Sequence, residues 1–402
     1  MPSADASDAV QRLLDKGVRM PNPATVTIGD DVDADRISGD GVTIHPGCRL
    51  SGAATVISAG CELGREGPVT IEDCRLGPKV ALKGGYAAKA VFLEGANVGL
   101  GHHIREGCLL EEESGGAHTV GLKQTILFPF ATLGSLINFC DCLLAGGTSR
   151  SDHSEVGSSY IHFNFTPSGD KTTPSLFGDV PAGVMLRSKP IFLGGQGGAV
   201  GPVRVAYGSI VGAGSVIRAD IDDPDRLTLV APPPDLSRPF DPHRLPKLAG
   251  LVAHNVTYLA NLDALEAWYR TVRLRFFAAQ PLGDLVAEGA LAMIASGRGE
   301  RLTRLRNLGA KLNPDDPKHA PFAAGLEASL GGFGADGLPE APTELVDELS
   351  TAAASGTRYV DAVKALPDGL VTAGTQWLSA IVAQREDACA ALIGELGEHF
   401  RR

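Results

Sequence analysis

Short repeated steps, each an aliphatic residue followed by a small one, are the feature that most constrains the fold of this 402-residue chain. They recur from residue 25 to residue 222, and clear examples are Ile28-Gly29, Leu63-Gly64, Leu76-Gly77, Leu133-Gly134 and Val156-Gly157. A chain that bends every five or six residues needs an aliphatic side chain inside and a small residue at the bend, where a larger one would crowd the backbone. This pattern predicts a parallel β-helix built from hexapeptide units.

An antiparallel barrel is the alternative fold for a chain in which aliphatic and polar residues alternate. The Asn-Gly and Asp-Gly turns expected between its strands are mostly missing, so the regular period with glycine at the corners favours the solenoid. We interpret Ile161 as one of the inward aliphatic positions. Residues 164–198, rich in Pro and Gly, are predicted to leave the coil, and such excursions often carry binding residues.

The domain organisation follows from changes in this pattern. Residues 1–24 are predicted to form a helical lead-in, residues 25–222 the β-helix and residues 223–246 a Pro-rich linker. In residues 247–402 apolar side chains recur at helical spacing, for example at Leu259, Leu262 and Leu265. The sequence therefore predicts an all-α domain after the β-helix.

Charge and cysteine content narrow the partners and the compartment. The net charge of −11 argues against nucleic acid, which binds clustered Lys and Arg. We interpret the basic run in residues 298–311 as a solvated helix face, because Glu300 interrupts it. The seven Cys residues suggest no disulfide framework, and the amino terminus is acidic and polar. We therefore expect a soluble, cytoplasmic protein without a membrane span.

Polar side chains interrupt the repeat more often than a structural coil requires. They lie between residues 105 and 171, in the middle of the predicted solenoid and at the start of the excursion. Because binding residues concentrate where a rigid scaffold presents them, we expect a ligand site in this part of the chain. The candidates are Arg105, Lys123, Asn138, His153, His162, Asn164 and Lys171.

The stretch from Ala96 to Ile221 resembles a known family. The motifs are HIREGCLLE around Arg105, VGLKQT around Lys123, HFNFTPSGDK at residues 162–171 and VGPVRVAYGSIVGAGSVIRADI at residues 200–221. With them the chain is similar to the left-handed β-helix hexapeptide acyltransferases, and in particular to the acetyltransferase domain of the bifunctional enzyme that makes UDP-N-acetylglucosamine. The resemblance implies a left-handed β-helix, a homotrimer, and acetyl-CoA or another acyl-CoA as co-substrate beside the final coils.

The resemblance also implies substrate-binding residues. In that family an Arg on one coil and a Lys one turn later hold the sugar nucleotide. Arg105 and Lys123 are 18 residues apart, which is three six-residue steps, so we expect them to stack on one face and share a phosphate group. Further substrate contacts are implied at Asn138, Asn164, Phe165 and Lys171.

One departure concerns the catalytic base. Twelve residues after the Lys the family has a His, whereas this chain has Ser135, whose hydroxyl needs a base of its own. His162 and His153 are candidates for the missing base, because the ordinary pKa of imidazole lies near 7. No metal site is expected at His102 and His103, because neighbours in a strand face opposite ways.

Two function classes therefore stay open. The first is a trimeric transferase that moves an acyl group from coenzyme A to a (UDP-)amino sugar or sugar phosphate, with His162 as the base. The second is a non-catalytic module that binds a UDP-sugar, or a trimeric scaffold that works with a separate sugar nucleotidyltransferase. The missing His favours the second class, and the many polar groups of the excursion favour the first.

Overall fold

The computed structural model describes residues 4–167, 171–239, 245 and 247–400. Within these residues the chain forms a parallel β-solenoid of about 11 turns followed by a helical region. This confirms the predicted fold class, and it is consistent with a left-handed β-helix followed by an all-α domain.

Most strands of the solenoid are two to four residues long, because the chain turns after each of them. In the first coils the strands are β1 (Thr27–Ile28), β2 (Thr43–Ile44), β3 (Arg49–Ser51), β4 (Val56–Ile57), β5 (Glu62–Leu63), β6 (Val69–Glu72), β7 (Arg75–Leu76), β8 (Ala81–Leu82), β9 (Gly85–Ala88), β10 (Ala90–Phe92), β11 (Asn97–Val98), β12 (His102–Ile104), β13 (Cys108–Leu110) and β14 (Gly115–Gly116). In the later coils they are β15 (Val120–Leu127), β16 (Thr132–Leu133), β17 (Ile137–Leu144), β18 (Gly147–Ser149), β19 (Asp152–His153), β20 (Glu155–Val156), β21 (Ile161–Phe163), β22 (Ser175–Phe177), β23 (Phe192–Leu193), β24 (Gly198–Val200), β25 (Arg204–Val205), β26 (Ile210–Val211), β27 (Val216–Ile217) and β28 (Leu227–Thr228).

These strands stack into three faces along the solenoid. Face A contains β1, β3, β6, β9, β12, the first halves of β15 and β17, β21, β24 and β27. Face B contains β4, β7, β10, β13, the second halves of β15 and β17, β22 and β25. Face C contains β2, β5, β8, β11, β14, β16, β20, β23, β26 and β28, while β18 and β19 form an antiparallel hairpin.

Parallel pairing places residues of successive coils directly above one another. On face A, Ile104 pairs with Leu122, and Leu122 pairs with Phe139. All three side chains are buried and fill the interior of the solenoid. Because side chains alternate along a strand, the residues before and after each of them face outward.

The helices lie mainly after the solenoid. Their bounds are α1 (Ala4–Asp15), α2 (Val180–Gly183), α3 (Leu248–Trp268), α4 (Leu274–Ala278), α5 (Gly283–Gly309), α6 (Ala320–Leu330), α7 (Thr343–Ala354), α8 (Tyr359–Ala365), α9 (Asp368–Leu392) and α10 (Gly397–Phe400). A π-helical segment, Tyr269–Arg273, joins α3 to α4, and short 3-10 helices occupy Pro23–Thr25, Ala34–Arg36 and Gly394–Leu396. Among the described helices, none combines the length and apolar character that a membrane crossing requires.

The helical region covers face B of the solenoid. The outward side chains of this face, such as Val91 and Leu109, are buried in one apolar cluster with residues of α3 and α5. Helix α5 runs along the solenoid, with Gly289 against Val91 and Gly297 close to Gln124 of a later coil. A helical turn rises about 5.4 Å and a coil about 4.8 Å, so successive turns of α5 meet successive coils.

One coil corner anchors the helical region through buried charges. Arg273 has a side chain that is 1% exposed and donates two hydrogen bonds to Glu112, at 2.7 and 3.0 Å. Its guanidinium carbon lies 3.7 Å from the centre of the Tyr359 ring. Beside it, Tyr269 donates a hydrogen bond of 2.5 Å to Glu111. Breaking such a pair leaves an uncompensated charge in a site from which water is excluded.

We predict that Arg273→Ala lowers the free energy of unfolding by about 3–5 kcal/mol, because Glu112 would remain buried without its partner. Arg270→Ala is the matched control on the same segment, because the Arg270 side chain is half exposed where it pairs with Glu266. This control should change stability by less than about 1 kcal/mol. Chemical denaturation measures the free energy of unfolding of both variants. A similar decrease in the two variants would contradict the prediction.

Candidate functional site

The structure places Arg105 and Lys123 on adjacent coils of face A, as their spacing predicts. Ile104 pairs with Leu122 and the backbone N–H of Arg105 donates to the Leu122 carbonyl, so the residues that follow, Arg105 and Lys123, occupy the same position one coil apart. Lys123 in turn pairs with Cys140, and the Arg105 guanidinium reaches over to within 4.0 Å of the Cys140 sulfur. We call Arg105 and Lys123 the cationic ladder.

The surroundings of the cationic ladder are polar and open. Lys123 makes a salt bridge of 2.8 Å to Glu106, and this hydrogen bond holds the pKa of Glu106 below its ordinary value. Arg105 is exposed and makes no salt bridge with any residue that the structure describes. Asn138 is exposed beside the ladder and accepts a weak hydrogen bond from Cys140. The ladder therefore carries a net positive charge that faces solvent.

A cleft opens beside Lys123, between the corner from face A to face B and helix α5. Its volume is about 350 Å³, at the lower end of the range of about 300–1,000 Å³ for ligand pockets. We call it the corner cleft, and its lining combines polar side chains with apolar surface. The lining residues are Glu106, Lys123, Gln124, Ser296, Gly299, Glu300 and Thr303.

Gln124 lines the corner cleft at the turn from face A to face B. Its backbone has a φ of 49°, which turns the chain around the corner, and the residue is 8% exposed. The amide nitrogen donates to Ser296 of α5 at 3.4 Å, whereas the amide oxygen accepts no hydrogen bond from any described residue. Gly107 lies beneath this side chain, and a Cβ there would come within 2.3 Å of the Gln124 amide nitrogen.

Helix α5 is fixed to the solenoid beside the cleft by a buried ion pair. Arg301 is buried and donates to the carboxylate of Asp141 at 2.6 Å and to the backbone oxygen of Lys171 at 3.4 Å. Arg298 likewise turns toward α3 and donates to Asp263 at 2.9 Å. The interpretation of this basic run as a solvated helix face is therefore wrong for Arg298 and Arg301.

His162 lies inside the solenoid, directly above Phe139. It is 4% exposed, its ring centre is 6.4 Å from those of Phe139 and Phe177, and Nε2 lies 2.7 Å from the Ser175 hydroxyl. Burial lowers the pKa of His162 to about 4. Ile161 is 38% exposed, so the interpretation of Ile161 as inward is wrong: the alternation is shifted by one residue.

The remaining predicted residues lie at different distances from the cationic ladder. Ser135 donates its backbone N–H to Ser158 and lies at the corner before β17, where Leu136 has a φ of 59°. Asn164 is exposed and accepts a hydrogen bond of 2.6 Å from Thr173. Phe165 is 73% exposed.

Of the two further predicted residues, Lys171 lies close to the corner cleft and His153 belongs to a separate hairpin. The backbone of Lys171 adjoins the cleft, since the Lys171 carbonyl accepts from Arg301. Residues 168–170, part of the motif quoted before Lys171, lie outside the described residues. His153 belongs to the β18–β19 hairpin, where it pairs with Gly147. The structure thus brings Arg105, Lys123 and Asn138 together and leaves Ser135, His153 and His162 apart from them.

Sequence reasoning weighed His103 only as a metal ligand. In β12, His102 is buried and His103 is exposed, so the two rings face opposite ways, as expected. His103 lies two residues before Arg105, which directly follows β12, about 7 Å along the outward side of face A. Its ring centre is 5.1 Å from that of Tyr86 on the preceding coil. It is thus an accessible imidazole close to the cationic ladder.

Comparison with known proteins gives no family. No protein-family model matches this chain, and no curated protein matches it significantly. Among solved structures it is similar to a UDP-N-acetylglucosamine acyltransferase from Campylobacter jejuni, with 13% identity over 52% of this chain and 69% of that chain, and a TM-score of 0.17. So weak a likeness carries no argument about substrate or reaction, and the resemblance to the bifunctional family stays a prediction.

We predict that His162 makes the protein less stable in mild acid. Its folded pKa of about 4 lies below the ordinary 6.5, so the unfolded chain takes up a proton first as the pH falls. The free energy of unfolding should decline between pH 6.5 and pH 4 by on the order of 3 kcal/mol from this residue. In His162→Asn that part of the decline should vanish, as denaturation at pH 7 and pH 4.5 would show. Equal declines in both proteins would contradict the burial of a neutral imidazole.

Proposed function

We propose that this protein binds a nucleotide sugar, with the diphosphate held by the cationic ladder. The observation that carries the proposal is the stacking of Arg105 and Lys123 one coil apart, with Lys123 also lining the corner cleft. Arg presents a planar fork of donors and Lys a compact charge, and together they match two neighbouring phosphate groups. Lys123 would keep Glu106 as a partner on its other side.

Two exposed aromatic rings support a nucleotide rather than a simple phosphate. Phe163 belongs to β21, the strand that pairs with β17 on the next coil, and it is partly exposed. Phe165 follows it at the start of the excursion and is largely exposed. Bases stack readily on aromatic side chains at a gain of about 1–3 kcal/mol. The base of the ligand would therefore lie toward the excursion.

The position of His162 favours the binding function over acyl transfer by that residue. A general base has to come within hydrogen-bond reach of the proton that it removes. His162 is enclosed by Phe139 and Phe177, and its lowered pKa makes it a weak base. A homotrimer stays part of the proposal and would use face A or face C, because the helices cover face B.

A second candidate function, acyl transfer from an acyl-CoA, is favoured by His103. This exposed imidazole lies on the same face as Arg105 and Lys123. Here an amine or hydroxyl group of the bound sugar would attack the thioester carbonyl, His103 would take its proton, and the coenzyme A thiol would leave.

We predict that Arg105→Ala and Lys123→Ala each weaken binding of UDP-N-acetylglucosamine at least tenfold, because each removes a charge-assisted hydrogen bond of about 1.5–3 kcal/mol. Isothermal titration calorimetry gives the affinities. Arg218→Ala is the matched control, since Arg218 is an exposed arginine two residues after Val216 on the last strand of face A. Wild-type affinity in both ladder variants would contradict the proposal.

The binding function predicts that no coenzyme A is released above background when acetyl-CoA and UDP-glucosamine are mixed with the protein. Free thiol, measured with a chromogenic disulfide, reports the reaction. Release that is lost in His103→Asn and kept in His162→Asn would contradict this expectation and favour the second candidate.

A further inference from the structure

We propose that the corner cleft holds the sugar ring of the bound ligand, so that helix α5 forms one wall of the binding site. This inference rests on the proposed function and assigns a task to the helical region. It names the ligand class of the cleft as a carbohydrate rich in hydroxyl or amino groups. The argument comes from the hydrogen-bonding groups of the cleft, its size and its position.

Acceptors outnumber free donors in the corner cleft. The Thr303 hydroxyl already donates to the backbone oxygen of Gly299, at 2.8 Å, so its oxygen can only accept from a ligand. Glu300 binds Arg304 and, at 3.8 Å, Arg301 through one oxygen, and Glu106 binds Lys123 through one oxygen, so each carboxylate has a second oxygen. Ionised carboxylates are acceptors only. A ligand that satisfies this lining must bring donors, as the hydroxyl and amino groups of a sugar do.

The buried amide of Gln124 points to a ligand independently. Its side chain lines the cleft and is more than nine-tenths buried, and its oxygen, which lies on the side of Gly107 and Gly297, has no donor among the described residues. A buried polar atom without a hydrogen bond costs about 1–3 kcal/mol. The amide nitrogen faces Ser296, which lines the cleft, so a half-turn of the amide would bring the oxygen to the cleft side. There a sugar hydroxyl would donate to this oxygen and remove that cost.

The size and position of the corner cleft fit a single sugar ring next to a phosphate group. The volume of about 350 Å³ suits one small polar group rather than a whole nucleotide sugar. Lys123 belongs both to the cleft lining and to the cationic ladder. A ligand with its phosphates on the ladder would thus place an attached sugar at the cleft entrance. The buried pair of Arg301 and Asp141 keeps α5 at this distance from the solenoid.

Gly299→Leu tests this inference directly. Gly299 lines the cleft and nothing lies within 4 Å of a Cβ added there, so a leucine side chain would start in the open space of the cleft. Leucine also favours a helix more than glycine does, so the melting temperature should stay the same or rise. We expect at least a tenfold loss of affinity for UDP-N-acetylglucosamine and less than a twofold change for UDP. Gly369→Leu is the matched control, an open helical glycine in α9, and it should bind both ligands as the wild type does.

Gln124→Met tests the amide separately, because methionine keeps the length of the side chain and removes its acceptor. This variant too should bind UDP-N-acetylglucosamine more weakly and UDP with unchanged affinity, whereas Arg105→Ala should bind both ligands more weakly. Wild-type affinity for the nucleotide sugar in Gly299→Leu and Gln124→Met would overturn the inference and leave the proposed function standing. Equal losses of affinity for UDP and for the nucleotide sugar in these variants would also overturn the inference. If the wild-type protein binds neither ligand, both the proposed function and this inference fall.

Discussion

Parallel pairing of successive coils is the constraint on which the rest of the structure depends. Because each coil hydrogen-bonds to the next in register, residues one turn apart stand directly above one another, whatever their side chains. Arg105 and Lys123 occupy the same position on adjacent coils for this reason. The two positive charges repel each other, so it is the pairing of the backbone that brings them together. An anion that bridges them would relieve this repulsion.

The helical region completes the site that the solenoid begins. Two of its buried arginines bind the solenoid: Arg273 binds Glu112 at one coil corner, and Arg301 binds Asp141 beside the cleft. Each pair is removed from water and so fixes a distance between the two regions rather than adding much stability. Helix α5 then runs along the solenoid with Gly299 and Thr303 over the corner occupied by Gln124. A wall held this rigidly suits selective recognition of a small polar ring.

The sequence predicts the solenoid and the cationic ladder, because both follow from a regular period. Steps such as Leu63-Gly64 recur at the corners, and a spacing of 18 residues is one turn. The sequence does not predict which residue faces inward near Ile161. Isoleucine, histidine and phenylalanine follow one another there, and the pattern does not show which of them belong to the inward face. Nor does it reveal the contact of Gln124 with Ser296, since no period links a coil corner to a helix 172 residues away.

A crystal structure of the protein with UDP-N-acetylglucosamine tests the central claim most directly. The account predicts diphosphate oxygens within about 3 Å of the Arg105 guanidinium and the Lys123 ammonium group, with the sugar ring in the corner cleft against Gln124. A nucleotide sugar bound elsewhere on the solenoid, with Arg105 and Lys123 in contact only with solvent and Glu106, would contradict it.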